Sequence, residues 1–204
     1  KGRAIQNMIN LPKEDKVMAY INTKDLKDEE YINSHYIVMC TKKGVIKKTS
    51  LEQYSRPRTN GINAITIREG DQLLEAKMTT GNSQIMMAVK SGKSIRFEEE
   101  KVRSMGRTAA GVRGIRLPSE DDEVIGMICI NDMESSVLVV SENGYGKRSA
   151  VEDYRITNRG GKGVKTINVT EKTGGLIALK NVSDADDLMV INKSGITIRI
   201  GVDT

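Results

Sequence analysis

Tyr36-Ile37-Val38-Met39-Cys40-Thr41-Lys42-Lys43-Gly44 is an apolar run closed by a polar turn and a glycine. The same phrase returns as Ile85-Met86-Met87-Ala88-Val89-Lys90-Ser91-Gly92, as Val137-Leu138-Val139-Val140-Ser141-Glu142-Asn143-Gly144 and as Leu188-Met189-Val190-Ile191-Asn192-Lys193-Ser194-Gly195. The glycines stand 48, 52 and 51 residues apart. A short apolar run ending in a polar turn with glycine reads as a strand entering a hairpin, because glycine adopts positive φ without a Cβ clash. Recurrence at a fixed period is the mark of a repeat architecture.

Working outward, a basic residue follows each glycine by four positions: Lys48, Arg96, Arg148 and Arg199. In three copies a second glycine comes next, at Gly61, Gly111 and Gly163, with Arg58, Arg107 or Arg159 three or four positions ahead of it. Then come a third apolar stretch, as at 62–67 and 164–169, and a fourth, as at 73–76 and 124–128. Four short strands per unit of about 50 residues predict an all-β array of propeller blades. About 16 strands are expected, four blades' worth of four-stranded antiparallel sheet. The chain 1–204 reads as a single repeat domain. It opens in the third strand of one blade, at 5–11, and ends in the second strand of another, at 196–200. Helix is nearly absent, with one turn expected at 98–102 and the acidic stretch 25–30 read as a turn.

The 204 residues suffice for a substantial core. Aromatics are only 3% and Trp is absent, so Val, Ile, Leu and Met must fill it, with Met86, Met87, Met127 and Met189 as core residues. Cys40 and Cys129 sit inside apolar runs and read as buried free thiols, which suits a reducing cytoplasm. No run approaches the roughly 18 apolar residues of a membrane span.

Net charge is +5, yet its placement says more. Residues 45–60, 93–110 and 145–162, between the paired glycines, hold 14 basic and 6 acidic side chains. The rest of the chain is therefore net negative, with acidic runs at 25–30, 119–123 and 184–187. In stacked blades equivalent positions share one rim, so a basic segment repeated in register becomes a basic stripe, which suits a long polyanion. The candidate contacts are Lys47, Lys48, Arg56 and Arg58 in the first copy, and Lys93, Arg96, Arg103, Arg107 and Arg113 in the second. The third supplies Lys147, Arg148, Arg155, Arg159, Lys162 and Lys165, and the last Arg199. Removal of Arg58, Arg107 or Arg159 is expected to weaken binding alike and to leave stability unchanged.

Catalytic signatures are missing. His35 is the single histidine, too few for a histidine metal cluster. Gly92-Lys93-Ser94 resembles the end of a phosphate loop, but Met87 stands where that loop needs glycine, and Gly144-Tyr145-Gly146-Lys147 fails likewise. Asp121-Asp122 has no acid–base partner, and none of the six tyrosines sits with a carboxylate cluster. No catalytic residue, metal or cofactor is expected in this chain.

Gly144-Tyr145-Gly146-Lys147-Arg148-Ser149-Ala150-Val151, with Tyr154 behind it, resembles a blade of the gyrase A C-terminal domain family. So does Met105-Gly106-Arg107-Thr108-Ala109-Ala110-Gly111-Val112-Arg113-Gly114-Ile115-Arg116-Leu117, and residues 1–11 resemble the close of an earlier blade. The resemblance implies a β-pinwheel, usually of six blades, running here from late in the second to early in the sixth. It implies a rim that binds and wraps duplex DNA for a type II topoisomerase, making ATP-driven supercoiling negative in sense. ATP and Mg²⁺ would serve the holoenzyme, a heterotetramer with the gyrase A N-terminal core and gyrase B. The expected setting is the bacterial cytoplasm, at the nucleoid and away from membranes. Arg159-Gly160-Gly161-Lys162-Gly163 resembles the family's signature box, which belongs to the first blade and is expected upstream of Lys1; full supercoiling competence is not assigned to this stretch. Two other readings stand beside this one: the related C-terminal domain of topoisomerase IV, and a propeller scaffold for acidic protein partners.

Overall fold

The computed structural model describes residues 2–3, 12 and 14–203. The expected strand at 5–11 lies outside them. In the first repeat, β1 (Tyr36–Thr41) and β2 (Val45–Ser50) form a hairpin, and β3 (Leu73–Thr79) returns along the other edge of β1. The next repeat gives β4 (Gln84–Val89), β5 (Lys93–Glu98), β6 (Val112–Arg113) and β7 (Val124–Ile130). It is followed by β8 (Ser136–Ser141), β9 (Gly146–Ala150), β10 (Val164–Lys165), β11 (Leu176–Val182) and a last hairpin, β12 (Asp187–Ile191) with β13 (Thr197–Gly201). At each hairpin glycine, Gly44, Gly92, Gly144 and Gly195, φ lies between 80 and 91°, as the turn requires.

Each blade was expected to fold from its own four strands, and the sheet order corrects this. The sheets run β3-β1-β2-β6, β10-β5-β4-β7, β11-β8-β9 and β12-β13. β6 lies between β5 and β7 in the chain yet pairs with β2 of the preceding repeat, Val45 opposite Arg113 and Ile46 opposite Val112. β10 does the same to β5. An open strand edge leaves N–H and C=O groups unpaired. Here the next repeat covers that edge, so neighbouring blades are interlocked through their backbones. The described residues hold 13 strands. The stretch 62–67 forms no strand, and 164–169 contributes only β10.

Strand alternation puts one row of side chains on each side of a sheet. Met87 faces the core between the first two sheets, with Val38, Cys40, Ile46, Ile95 and Phe97. Its neighbour Met86 faces the core between the second and third, with Val137, Val139, Leu176 and Leu179. Each fully buried apolar side chain contributes about 1.5–3 kcal/mol, so these two layers hold the blades face to face. β3, β7 and β11 pack side by side, and β6 and β10 lie at the opposite edges of their sheets. Cys40 is buried and Cys129 nearly so, both as free thiols; burial raises both, Cys129 to about 12.

Two expectations change at the ends. The acidic stretch turns at Leu26–Lys27, as expected, but its last two residues begin a helix, α1 (Glu29–Ser34): Asp28 caps it by accepting the N–H groups of Glu30 at 3.0 Å and Tyr31 at 3.2 Å. Its Ile32 covers the outer side of the first sheet with Ile37, Met39 and Leu51. Met189, expected in the core, is 61% exposed, because β12 and β13 form a two-stranded sheet with no layer against that face among the described residues.

Candidate nucleic-acid interface

Past β2, β5 and β9 the chain makes one tight turn, Leu51–Tyr54, Glu99–Lys101 and Val151–Asp153 respectively. It then runs out into a long loop before reaching back to the previous sheet. These three rim loops lie alongside one another. The Thr66 N–H donates to Ala109 O at 3.3 Å, and one repeat later the Arg116 N–H donates to Gly161 O at 2.8 Å. Gly160 N–H donates to Gly114 O at 2.7 Å. Gly111 and Gly163 bring the second and third loops tight against β2 and β5. A Cβ there would come within 2.6 Å of Ile46 O and 2.3 Å of Ser94 O, so only glycine fits.

The basic residue four positions after the hairpin glycine has a different task from the one expected of it. Arg96 is 5% exposed. Its Nη1 donates to Val151 O at 2.8 Å and Tyr154 O at 2.7 Å, capping the turn of the next blade, while Nε donates to Gln84 Oε1 at 2.8 Å. Lys48, 6% exposed, reaches the equivalent turn through its side chain: Nζ lies 2.9 Å from Glu99 Oε1 and 4.4 Å from the centre of the Tyr36 ring. Glu99 also accepts Thr79 Oγ1 at 2.7 Å and the Ser83 N–H at 3.1 Å. Arg148 donates to Val202 O at 3.0 Å and pairs with Asp184, and Arg199 pairs with Asp187 across its hairpin. Lys47 is 1% exposed and donates to Ala64 O at 2.6 Å and to Arg107 O, tying two rim loops together; burial, and then the Arg107 charge, lowers its ammonium to about 8.

Lys47, Lys48 and Arg96, expected on the rim, are therefore interior and closed to a macromolecular ligand. A cation recurring in register marks a repeated fold contact as readily as a repeated binding contact.

The remaining candidates stay at the surface. Arg56, Arg58, Arg103, Arg113, Lys147, Arg155, Lys162 and Lys165 are exposed, and Lys93 is half-buried. Lys93 and Lys165 stand directly opposite each other on the β5–β10 ladder, a like-charge pairing that an anion would relieve. Arg107 and Arg159 are half-buried and tethered. Arg107 Nη1 donates to Asn63 O at 2.5 Å; Arg159 donates to Arg113 O at 2.5 Å and Lys101 O at 3.0 Å. Each thus reaches the carbonyl two residues past the glycine of the previous loop. Arg116 and Lys43 were not foreseen, because neither belongs to a basic position that recurs. Among the described residues no group of three or more His, Cys, Asp or Glu is placed to hold a metal, and no helix is long and apolar enough to cross a membrane.

A family profile described as DNA gyrase C-terminal domain, beta-propeller, matches residues 35–79, 83–131 and 135–183, one stretch for each of the first three repeats. The chain belongs to this family. Similar curated proteins include the DNA gyrase A protein of Staphylococcus epidermidis (strain ATCC 12228 / FDA PCI 1200), 43% identical over 203 residues that make up 99% of this chain and 22% of that protein. The DNA gyrase A protein of Staphylococcus aureus (strain NCTC 8325 / PS 47) is 41% identical with the same coverage. The chain thus spans 22% of the length of these gyrase A relatives. A solved C-terminal domain of DNA topoisomerase IV matches with a TM-score of 0.88 at 22% identity, over 99% of this chain and 61% of that one, a likeness of fold. A DNA gyrase A C-terminal domain matches at 0.82 and 25% identity, over 98% and 64%.

Proposed function

We propose that this chain binds, bends and wraps duplex DNA without sequence preference, as part of the six-bladed C-terminal domain of a DNA gyrase A protein. The observation that carries the reading is the side-by-side packing of three rim loops, each bringing exposed Arg or Lys to one edge. Cations on rigid, evenly spaced loops suit phosphates along a curved duplex, while few aromatics are present to stack on bases. Bending a duplex costs on the order of 1–6 kcal/mol per 20–30 base pairs, which several simultaneous phosphate contacts offset. In the parent enzyme the wrapped segment would pass to the gyrase A N-terminal core and gyrase B, which use ATP and Mg²⁺ to introduce negative supercoils in the bacterial cytoplasm. This chain would supply no catalytic group. The gyrase reading is preferred to topoisomerase IV because the 41–43% relatives over nearly the whole chain are gyrase A proteins.

The test is fluorescence anisotropy of a labelled duplex across a salt series. With roughly six phosphates neutralised, log K falls against log salt with a slope near −5. A slope near zero refutes the reading, and a protein partner retained at high salt supports the scaffold alternative. Incubated with relaxed plasmid, ATP and Mg²⁺, the chain alone should leave linking number unchanged; with a topoisomerase I added, the trapped wrap should appear as a shift.

A further inference from the structure

Beside the β1–β2 hairpin turn lies an open groove of about 690 Å³, bounded by Lys43 of the turn, Arg113 of β6, Arg116, Pro118 and Glu120. Three cations and one carboxylate line it. Lys43 Nζ donates to Glu120 O at 3.0 Å. Among the described residues the Arg113 and Arg116 guanidinium groups have no hydrogen-bond or ion-pair partner, although both backbones are firmly held. Gly44 O accepts the Gly114 N–H at 2.7 Å and the Ile115 N–H at 3.3 Å, and the 159–163 loop grips Arg113 O, Gly114 O and the Arg116 N–H from the other side. A rigid frame presenting unpaired guanidinium groups in a concavity is pre-organised for an anion: the cavity concentrates the potential, and the planar fork of arginine matches phosphate oxygens.

The next repeat shows what the groove is without this equipment. Ser91 stands where Lys43 does, Asn168 where Arg116 does, and Lys165 where Arg113 does. There Lys165 Nζ is engaged by Asn168 Oδ1 at 3.2 Å, and Lys172, at the position of Glu120, lies 5.4 Å from the centre of the Tyr145 ring. The fold does not demand the Lys43–Arg113–Arg116 set, since the same backbone forms without it.

We infer that this groove is a discrete phosphate-binding subsite for the duplex backbone, which draws the DNA off the rim toward the hairpin-turn face at this blade. The inference rests on the DNA-binding reading above and makes the blades unequal: the first described sheet grips the duplex harder than the second.

The test grafts the repeats onto one another. Lys43→Ser with Arg116→Asn copies the second groove into the first, and Ser91→Lys with Asn168→Arg does the reverse. All four side chains lie at the surface or rim, and anisotropy with a labelled duplex reads the effect. The first pair should weaken binding about tenfold or more near 0.1 M salt and make the salt slope shallower by about one to two. The reverse pair should tighten binding by a comparable factor. If both double variants bind with wild-type affinity and slope, the groove assignment is overturned while the DNA reading stands; if the wild type shows no salt-dependent binding, both fall. Inorganic phosphate that binds the wild type, but not Lys43→Ser/Arg116→Asn, and displaces no duplex at matched ionic strength would make this a free-phosphate pocket and also overturn the assignment.

Discussion

Arg96 on β5 donates to the carbonyl oxygen of Tyr154, 58 residues further along the chain, at 2.7 Å. That contact joins the second hairpin to the turn of the following blade. Lys48 and Arg148 reach the equivalent turns from the first and third hairpins. Burial lowers the Arg96 guanidinium, and the charges of Glu98 and Glu152 oppose the shift. The three cations are chemically alike, yet Lys48 reaches its turn through a buried ion pair with Glu99, whereas Arg96 and Arg148 reach theirs through backbone carbonyls, Arg148 adding an exposed pair with Asp184.

The Lys48 interface should therefore be the most sensitive to losing one partner. Lys48→Met leaves Glu99 buried without its cation, and breaking a buried pair by removing one partner costs about 3–5 kcal/mol. Lys48→Arg combined with Glu99→Val imports the Arg96–Val151 arrangement and should recover more than half of that loss. Urea denaturation measures both; a Lys48→Met variant within about 1 kcal/mol of wild type would show that the buried pair contributes nothing.

Lys47 sets a pH dependence. Its folded value, about 8, lies below the ordinary 10.5. Between those values the unfolded chain holds more protons, so the penalty for burying this ammonium is full below about pH 8 and fades as pH rises toward 10.5. The buried thiols act oppositely above about pH 9, since their ionisation is open only to the unfolded chain. Comparison with Lys47→Met isolates the lysine: wild type should gain on the order of 2 kcal/mol relative to the variant between about pH 7.5 and 10. A difference that stays constant across that range would mean Lys47 titrates normally.

Arginine removal should not act alike across the blades. Arg58 is exposed, and among the described residues its side chain has no partner, so Arg58→Ala should weaken DNA binding with little change in Tm. Arg107→Ala and Arg159→Ala also remove hydrogen bonds between rim loops, worth about 1 kcal/mol at half-buried sites, and should lower Tm by roughly 2–4 °C. Calorimetry decides; equal Tm for all three variants would show that the loop tethers carry no stability.

Glycine replacement separates conformation from contact. Gly61 and Gly163 share a positive φ, 76 and 72°, but a Cβ at Gly61 meets open space while one at Gly163 meets Ser94 O at 2.3 Å. Gly61→Ala should cost about 1–2 kcal/mol of left-handed strain. Gly163→Ala should cost clearly more, because the interlocked β10 must shift away from β5. Similar losses would mean the inter-blade approach is soft.

Much of the fold was legible along the chain. The period of about 50 residues, the glycine at each hairpin and the apolar runs are local properties, set by φ preferences and strand alternation. They determine an all-β repeat domain, the hairpins from Gly44 to Gly195, and the tight turn at Glu99. What the chain could not declare was partnership. β6 pairs with the previous repeat because an open sheet edge is nearest there, a fact of three-dimensional stacking. Arg96 and Arg56 look equally basic in sequence; only the tertiary structure buries one against Tyr154 O and leaves the other in solvent. The same holds for the site, where recurrence selected Lys48 and Arg96 and passed over Lys43 and Arg116. Charge in a sequence is a property of residue type, but its availability to a ligand is decided by desolvation and neighbours, which exist only once the blades are packed.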